Sequence, residues 1–292
     1  MYSGAGLETG TRPMPPGGQR TQNEVPVKSR PWLLCMALAA SSSFTVLAQQ
    51  MPTGYHNVVC LKVKAENGSE YRKWAAGDLH KFAQARVDSG SVSTWFLLSS
   101  VMPQGTSAGC DYLIIAMYPG APPKPLSVEE LDSLLKKAGI SATAQEFMAH
   151  RASVGTMVSN NLFQNKISVG AVKKGDYFII NELKVSDMEG YLDYAKKVWQ
   201  PFAEELAKGG VRTGWSMNVE VLPSGSDLRF QAVTVDIFPS WEAVYQDQQL
   251  SATFKRVHPD MEVGTTLEKA AKLRTIVSSE LFHVEDMISS AK

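Results

Sequence analysis

A chain of 292 residues with 44% hydrophobic and 20% charged residues has core material for about two globular domains. Its 29 Lys and Arg balance its 29 Asp and Glu, and no run of like charge interrupts the sequence. Nothing in that balance gathers a polyanion, so neither nucleic acid nor an anionic membrane surface is expected as a partner.

Residues 1–30 are rich in Gly, Pro, Ser, Thr and Gln and have no apolar periodicity, the composition of a disordered extension. Lys28 and Arg30 then introduce an apolar run from Trp32 to Ala48, diluted by Ser41-Ser42-Ser43 and ending in Val46-Leu47-Ala48. A basic start, a short apolar centre and small residues before a cut are the pattern of a secretory signal peptide over residues 28–48. A membrane anchor would need about 20 strongly apolar residues. The sequence therefore predicts cleavage near Ala48, export to the periplasm or medium, and no membrane attachment afterwards. Residues 1–27 read as an extension ahead of the true start, which is expected near Val27.

The rest predicts the same element order twice. In residues 49–170, His56–Lys64 alternates as a strand, Ser69 caps a helix to Val87, and Ser91–Met102 and Asp111–Tyr118 form a hairpin. Ser127 to Glu130 is a capping box for a second helix, Ala144–Arg151 a short third, and Thr156–Phe163 a closing strand. In residues 171–292, Tyr177–Val185 is a strand and Ser186 to Glu189 a capping box for a helix to Lys208, which Pro201 should kink. Val211–Leu222 and Leu228–Phe238 form a hairpin, Ser240 caps a helix to Val257, and Arg274–Glu285 is the last strand. At an offset of 120 positions, Tyr71, Trp95 and Pro103 fall under Tyr191, Trp215 and Pro223. A self-match this long means a duplicated domain, not a solenoid.

Two βαββαβ units are two tandem ferredoxin-like repeats, an α+β arrangement. On that order and duplication the chain resembles the dimeric α/β-barrel superfamily, in which two such sheets pack face to face. Here one chain supplies both, forming a pseudo-dimeric barrel that is expected to be monomeric. The superfamily includes cofactor-free monooxygenases, haem-binding chlorite dismutase-like enzymes, isomerases, stress-responsive proteins and plain ligand binders. The resemblance implies an architecture and leaves the activity open.

Strand alternation suggests where chemistry would lie. Taking the apolar Val233, Val235 and Ile237 as the helix side places Glu182, Glu220 and Asp236 together on the opposite face, near Lys184 and Arg212. Clustered carboxylates perturb one another's pKa, so these three are the candidate catalytic residues; a structural ion-pair layer is the alternative. Trp95, Trp215, Tyr191 and Tyr194 make an aromatic set suited to a planar ligand, with Asn218 on the polar face; duplicated core packing explains the aromatics equally well. The five histidines lack metal-ligand spacing, and no metal or cofactor is expected; His80, His150 and His258 are the helical positions an axial haem ligand would need. Cys60 is mid-strand and Cys110 precedes a strand, an offset that argues against a disulfide. No phosphate loop, nucleophile elbow or zinc motif is present. Three readings remain: an exported binder of a small, partly apolar molecule; a monooxygenase-like or isomerase-like enzyme with a carboxylate base; and a structural or interaction module.

Overall fold

The computed structural model describes residues 49–50, 54–246 and 249–290. The predicted extension, signal peptide and cleavage point lie outside them. Among the described residues no helix is long and apolar enough to cross a membrane.

The described residues form nine strands: β1 (Gln49–Gln50), β2 (Tyr55–Lys62), β3 (Thr94–Met102), β4 (Tyr112–Met117), β5 (Thr156–Val172), β6 (Tyr177–Val185), β7 (Gly214–Leu222), β8 (Ala232–Phe238) and β9 (Arg274–Ser289). Their order is β1-β5-β2-β4-β3-β9-β6-β8-β7, and a further β5–β7 pairing closes the last eight into an antiparallel barrel. The first half contributes β5-β2-β4-β3 and the second β9-β6-β8-β7, the same positional order. The two sheets are joined at both edges as well as facing each other. Closure leaves the eight barrel strands without a free edge.

The joints explain why β5 and β9 outrun their predicted ends at Phe163 and Glu285. Thr156 to Gln164 pair with β2, and the same strand continues to pair with β7 up to Gly170. Arg274 to His283 pair with β6, and β9 continues along β3 to Ser289. Each long strand spans a seam.

Helices cover the outside. The first is one rod in three pieces: α1 (Gly68–Trp74), a π-helical turn Ala75–Leu79, and α2 (His80–Asp88). Its counterpart is α5 (Met188–Tyr194), a π turn Ala195–Trp199, and α6 (Gln200–Lys208). Pro201 falls in the first turn of α6, where its missing N–H costs little. Since the first half has the same π turn without a proline, Pro201 does not cause the interruption. Ser69 does not cap, because the helix already begins at Gly68. The second-half cap is Asp187, which accepts from the Gly190 N–H at 3.0 Å, while Ser186 bonds back to the Leu273 carbonyl. Both capping boxes of the first half, Ser127/Glu130 on α3 (Val128–Lys137) and Thr143/Glu146 on α4 (Ala144–Val154), are formed. The helix expected from Ser240 to Val257 is two, α7 (Trp241–Tyr245) and α8 (Leu250–Val257), and α9 (Val263–Leu273) follows.

Three apolar layers result. Tyr71, Trp74, Trp95 and Leu97 pack between the first-half helices and their strands. Tyr191, Trp215, Met217 and Ala232 do the same in the second half. Phe96, Leu98, Leu113, Phe178, Val235 and Phe282 fill part of the barrel itself.

Candidate functional site

Directly paired residues of an antiparallel ladder point to one side, so the register decides which side chains share the lumen. Glu182 pairs with Val233, and Val233 with Asn218. Val233, Val235 and Ile237 therefore face the lumen, and Thr234 and Asp236 face the helices. That corrects the expected grouping: Glu182 and Asp236 lie on opposite faces of one sheet. The error had a physical cause. In a closed barrel both faces of the sheet are buried, so an apolar residue does not mark the helix side.

The lumen holds a cavity of about 330 Å³. Its walls are largely apolar, with Val58, Leu113, Ile115, Ile180, Val235 and Phe282 among them. Polar groups gather at Glu182, Glu280, Arg229 and Asn161. Arg229 lies in the loop before β8, which starts four residues later than predicted, and its Nη2 is 2.9 Å from Glu182 Oε2. Ser278 Oγ donates to the same oxygen at 2.6 Å. Glu220, beside this group, accepts from Asn161 Nδ2. Glu280 lies over Gly109, where an added Cβ would stand 3.5 Å from Oε1. Burial pushes the carboxyl groups of Glu220 and Glu280 above their ordinary range, and the Glu182 charge adds to it; Asn161 opposes the shift at Glu220, and Arg229 and Lys62 oppose it at Glu280.

His56 also lines the cavity. Its ring stacks on Phe163 at 5.5 Å, its Nδ1 has no hydrogen-bond partner, and burial lowers its pKa to about 4, so the imidazole is neutral at physiological pH. Asn218 belongs to this lumen and not to the aromatic set. It accepts from Asn165 Nδ2 at 2.8 Å and donates to Ser216 Oγ at 3.1 Å.

Cys60 and Cys110 are disulfide-bonded, with Cα atoms 5.3 Å apart, against expectation. The loop ahead of β4 folds back across β2, so that the Asp111 N–H donates to the Leu61 carbonyl at 2.8 Å and Asp111 meets Lys62 Nζ at 3.1 Å. That return brings residue 110 over the middle of its neighbour. Both cysteines line the lumen cavity.

Asp236 faces a separate cleft of about 270 Å³ between the second-half helices and the sheet, lined by Tyr191, Trp199, Trp215, Arg212 and Arg274 among others. It pairs with Arg212 and accepts from Asn181 Nδ2 at 3.2 Å. Burial raises its pKa, opposed first by Arg212. Arg274 Nε donates to the Tyr191 hydroxyl at 3.1 Å. Tyr194 turns away, its hydroxyl donating to the Thr266 carbonyl at 2.6 Å. Trp95 is 3% exposed within the first-half core. Lys184 is exposed on its strand.

The helical histidines have other partners. His80 Nδ1 is 2.6 Å from Asp286, His258 Nε2 is 3.0 Å from the Val198 carbonyl, and His150 stands edge-on to Trp74. No group of three His, Cys, Asp or Glu able to hold a metal occurs among the described residues.

No protein-family model matches the sequence, and no curated protein sequence is significantly similar to it. Solved structures are similar in shape. A proposed monooxygenase from Lactobacillus acidophilus NCFM aligns with a TM-score of 0.50 and 10% identity over 82% of this chain and 100% of its own. A proposed monooxygenase from Fusobacterium nucleatum subsp. nucleatum aligns with a TM-score of 0.51 and 11% identity over 80% of this chain and 94% of its own. These neighbours are dimeric α/β-barrel proteins. This chain has the dimeric α/β-barrel fold. At such identity the likeness extends to the fold alone, so within this dimeric α/β barrel the chemistry rests on the residues just described.

Arg229, Glu280, His56 and the disulfide were not foreseen. Glu280 was legible, since it stands two residues from Phe282 on an alternating strand. Arg229 was not, because a loop residue has no alternation to place it.

Proposed function

We propose that this chain is an exported, monomeric α/β barrel of two ferredoxin-like repeats, residues 49–170 and 171–292, that binds a small, partly apolar molecule in its lumen. The observation that carries this reading is the cavity: apolar walls with a few convergent polar groups are the usual make-up of a small-molecule site. A disulfide facing that cavity suits an oxidising compartment. Both seams of the barrel are closed by strands of the same chain, which leaves the eight barrel strands no free edge for a second copy to complete.

A neutral amphiphile such as 2-phenylethanol tests the reading. It should bind the purified protein in calorimetry, and Val235→Phe, which adds a ring to the lumen wall, should abolish the binding while the folded protein retains its circular dichroism. Equal binding to both proteins would place the ligand elsewhere.

A second reading is an enzyme in which Glu220 or Glu182 acts as base. In its favour, Glu220 is bonded to Asn161 of the cavity wall, and burial raises its pKa above the ordinary carboxylate value. Loss of turnover in Glu220→Gln with unchanged ligand binding is the signature this reading requires.

A further inference from the structure

Among the described residues, Lys62, Arg229, Glu182 and Glu220 at this end of the lumen have partners, and Glu280 has none. Lys62 on β2 is held by Asp111 and the Gly105 carbonyl, at 3.1 and 3.0 Å. Arg229 is held by Glu182, which also takes the Ser278 hydroxyl. Glu220 takes Asn161. Glu280 on β9 has neither a hydrogen bond nor an ion pair among the described residues, although it lines an apolar cavity and is only partly exposed. Deeper in the lumen, His56 is 5% exposed and likewise has a ring nitrogen without a partner. Glu182, Glu220, Glu280 and Asp111 meet two cations here, Arg229 and Lys62, and the neutral imidazole adds no positive charge. A carboxylate left unpaired beside apolar walls calls for a donor, and the local surplus of negative charge favours one that is itself positive.

We infer that the lumen selects amphiphilic amines: an apolar body lies among Val58, Ile115, Ile180 and Phe282, and a protonated amine donates to Glu280. The inference rests on the lumen being the binding site, and it adds the chemical class of the occupant. A ligand carboxylate or phosphate is disfavoured there, since Arg229 is already neutralised by Glu182.

Three probes with one carbon skeleton decide the matter: 2-phenylethylamine, 2-phenylethanol and phenylacetate, titrated into the purified protein at pH 7. The amine should bind at least about ten-fold more tightly than the alcohol, the size expected when one hydrogen bond becomes charge-assisted, and phenylacetate should bind least. Glu280→Gln, which keeps the shape, should remove the preference for the amine. The preference should also fall as pH drops and Glu280 takes a proton. If amine and alcohol bind alike and Glu280→Gln changes neither, the amine assignment is wrong while the lumen site stands. If Val235→Phe leaves all three titrations unchanged, both are wrong. Tighter binding of phenylacetate would overturn the assignment in favour of an Arg229-centred anion site.

Discussion

The two halves of the barrel share a strand order and differ in what holds equivalent places together. Cys60 and Glu182 are counterparts by register, pairing with Leu113 and Val233. The first half ties that position to the following loop with a covalent bond to Cys110, and the second does so with an ion pair to Arg229. Under the helices, Ala116 pairs with Trp95 and Asp236 with Trp215. Around them Val92 and Gly155 in the first half stand where the second has Arg212 and Arg274, the two arginines flanking the cleft. At the start of the first strand, Gly54 corresponds to the fully buried Asp176. Residues that hold the scaffold, Tyr71/Tyr191 and Trp95/Trp215, are alike in both halves. Divergence is concentrated where side chains meet a cavity or cleft, and it leaves the second half charged. One half keeps apolar packing at these places while the other carries buried polar groups that cost stability.

The largest expected effect concerns the covalent tie. Its partners are 50 residues apart, for which the chain-entropy model gives about 4 kcal/mol. Urea unfolding of the protein and of the Cys60→Ser/Cys110→Ser double variant should differ by that order. A difference under about 1 kcal/mol would mean that the first half is held no more firmly by its disulfide than the second is by an exposed ion pair.

Next in size is the buried pair of the second half. Asp236→Ala leaves the mostly buried Arg212 without its carboxylate and should cost about 3 kcal/mol. Replacing both residues with their first-half equivalents, Arg212→Val and Asp236→Ala, should recover most of that loss, because the first half shows that the apolar pair packs under a tryptophan. Failure of the double variant to recover would show that the cleft has diverged beyond these two positions.

The smallest effect is a pH dependence. Asp176 accepts from the Lys173 N–H at 2.9 Å, yet its other oxygen has no partner, and burial raises its pKa to about 6. A carboxyl group that ionises at higher pH when folded favours the folded state while it is protonated. Its effect is therefore neutral below the unfolded value near 4 and becomes increasingly destabilising as pH rises from there to about 6, where the cost is complete. Asp176→Asn should unfold like the parent at pH 4 and be more stable by about 1–2 kcal/mol at pH 7. Parallel melts across that range test it; a constant difference between the two proteins would locate the cost elsewhere.

Much of this architecture was legible because it rests on local chemistry. Ser127 and Glu130 cap a helix wherever it packs, alternation marks a strand whatever lies beside it, and the 120-residue offset in tryptophans and prolines matches two halves with one strand order. What was hidden depends on closure. Val235 and Val219 read alike as apolar strand residues, and only the register shows that Val235 looks into the lumen. Asp236 was misplaced for the same reason. The disulfide was misjudged because the return of residues 105–111 over β2 is set by Lys62 and Asp111, a contact between loop and strand that no periodicity encodes.

One consequence follows from the seams. β9 is the last of the described strands, and it lies between β3 of the first half and β6 of the second. While the protein is being synthesised, every other stave of the barrel can be in place with a gap one strand wide between those two. Along that gap β3 and β6 present unpaired backbone groups to any extended segment that reaches them. The segment best matched in register and side chains is β9 itself, whether it arrives from the same chain or from a neighbour at high local concentration. The order in which the chain is made therefore gives this barrel a built-in route to strand-swapped oligomers, open until the 16 residues of β9 are delivered.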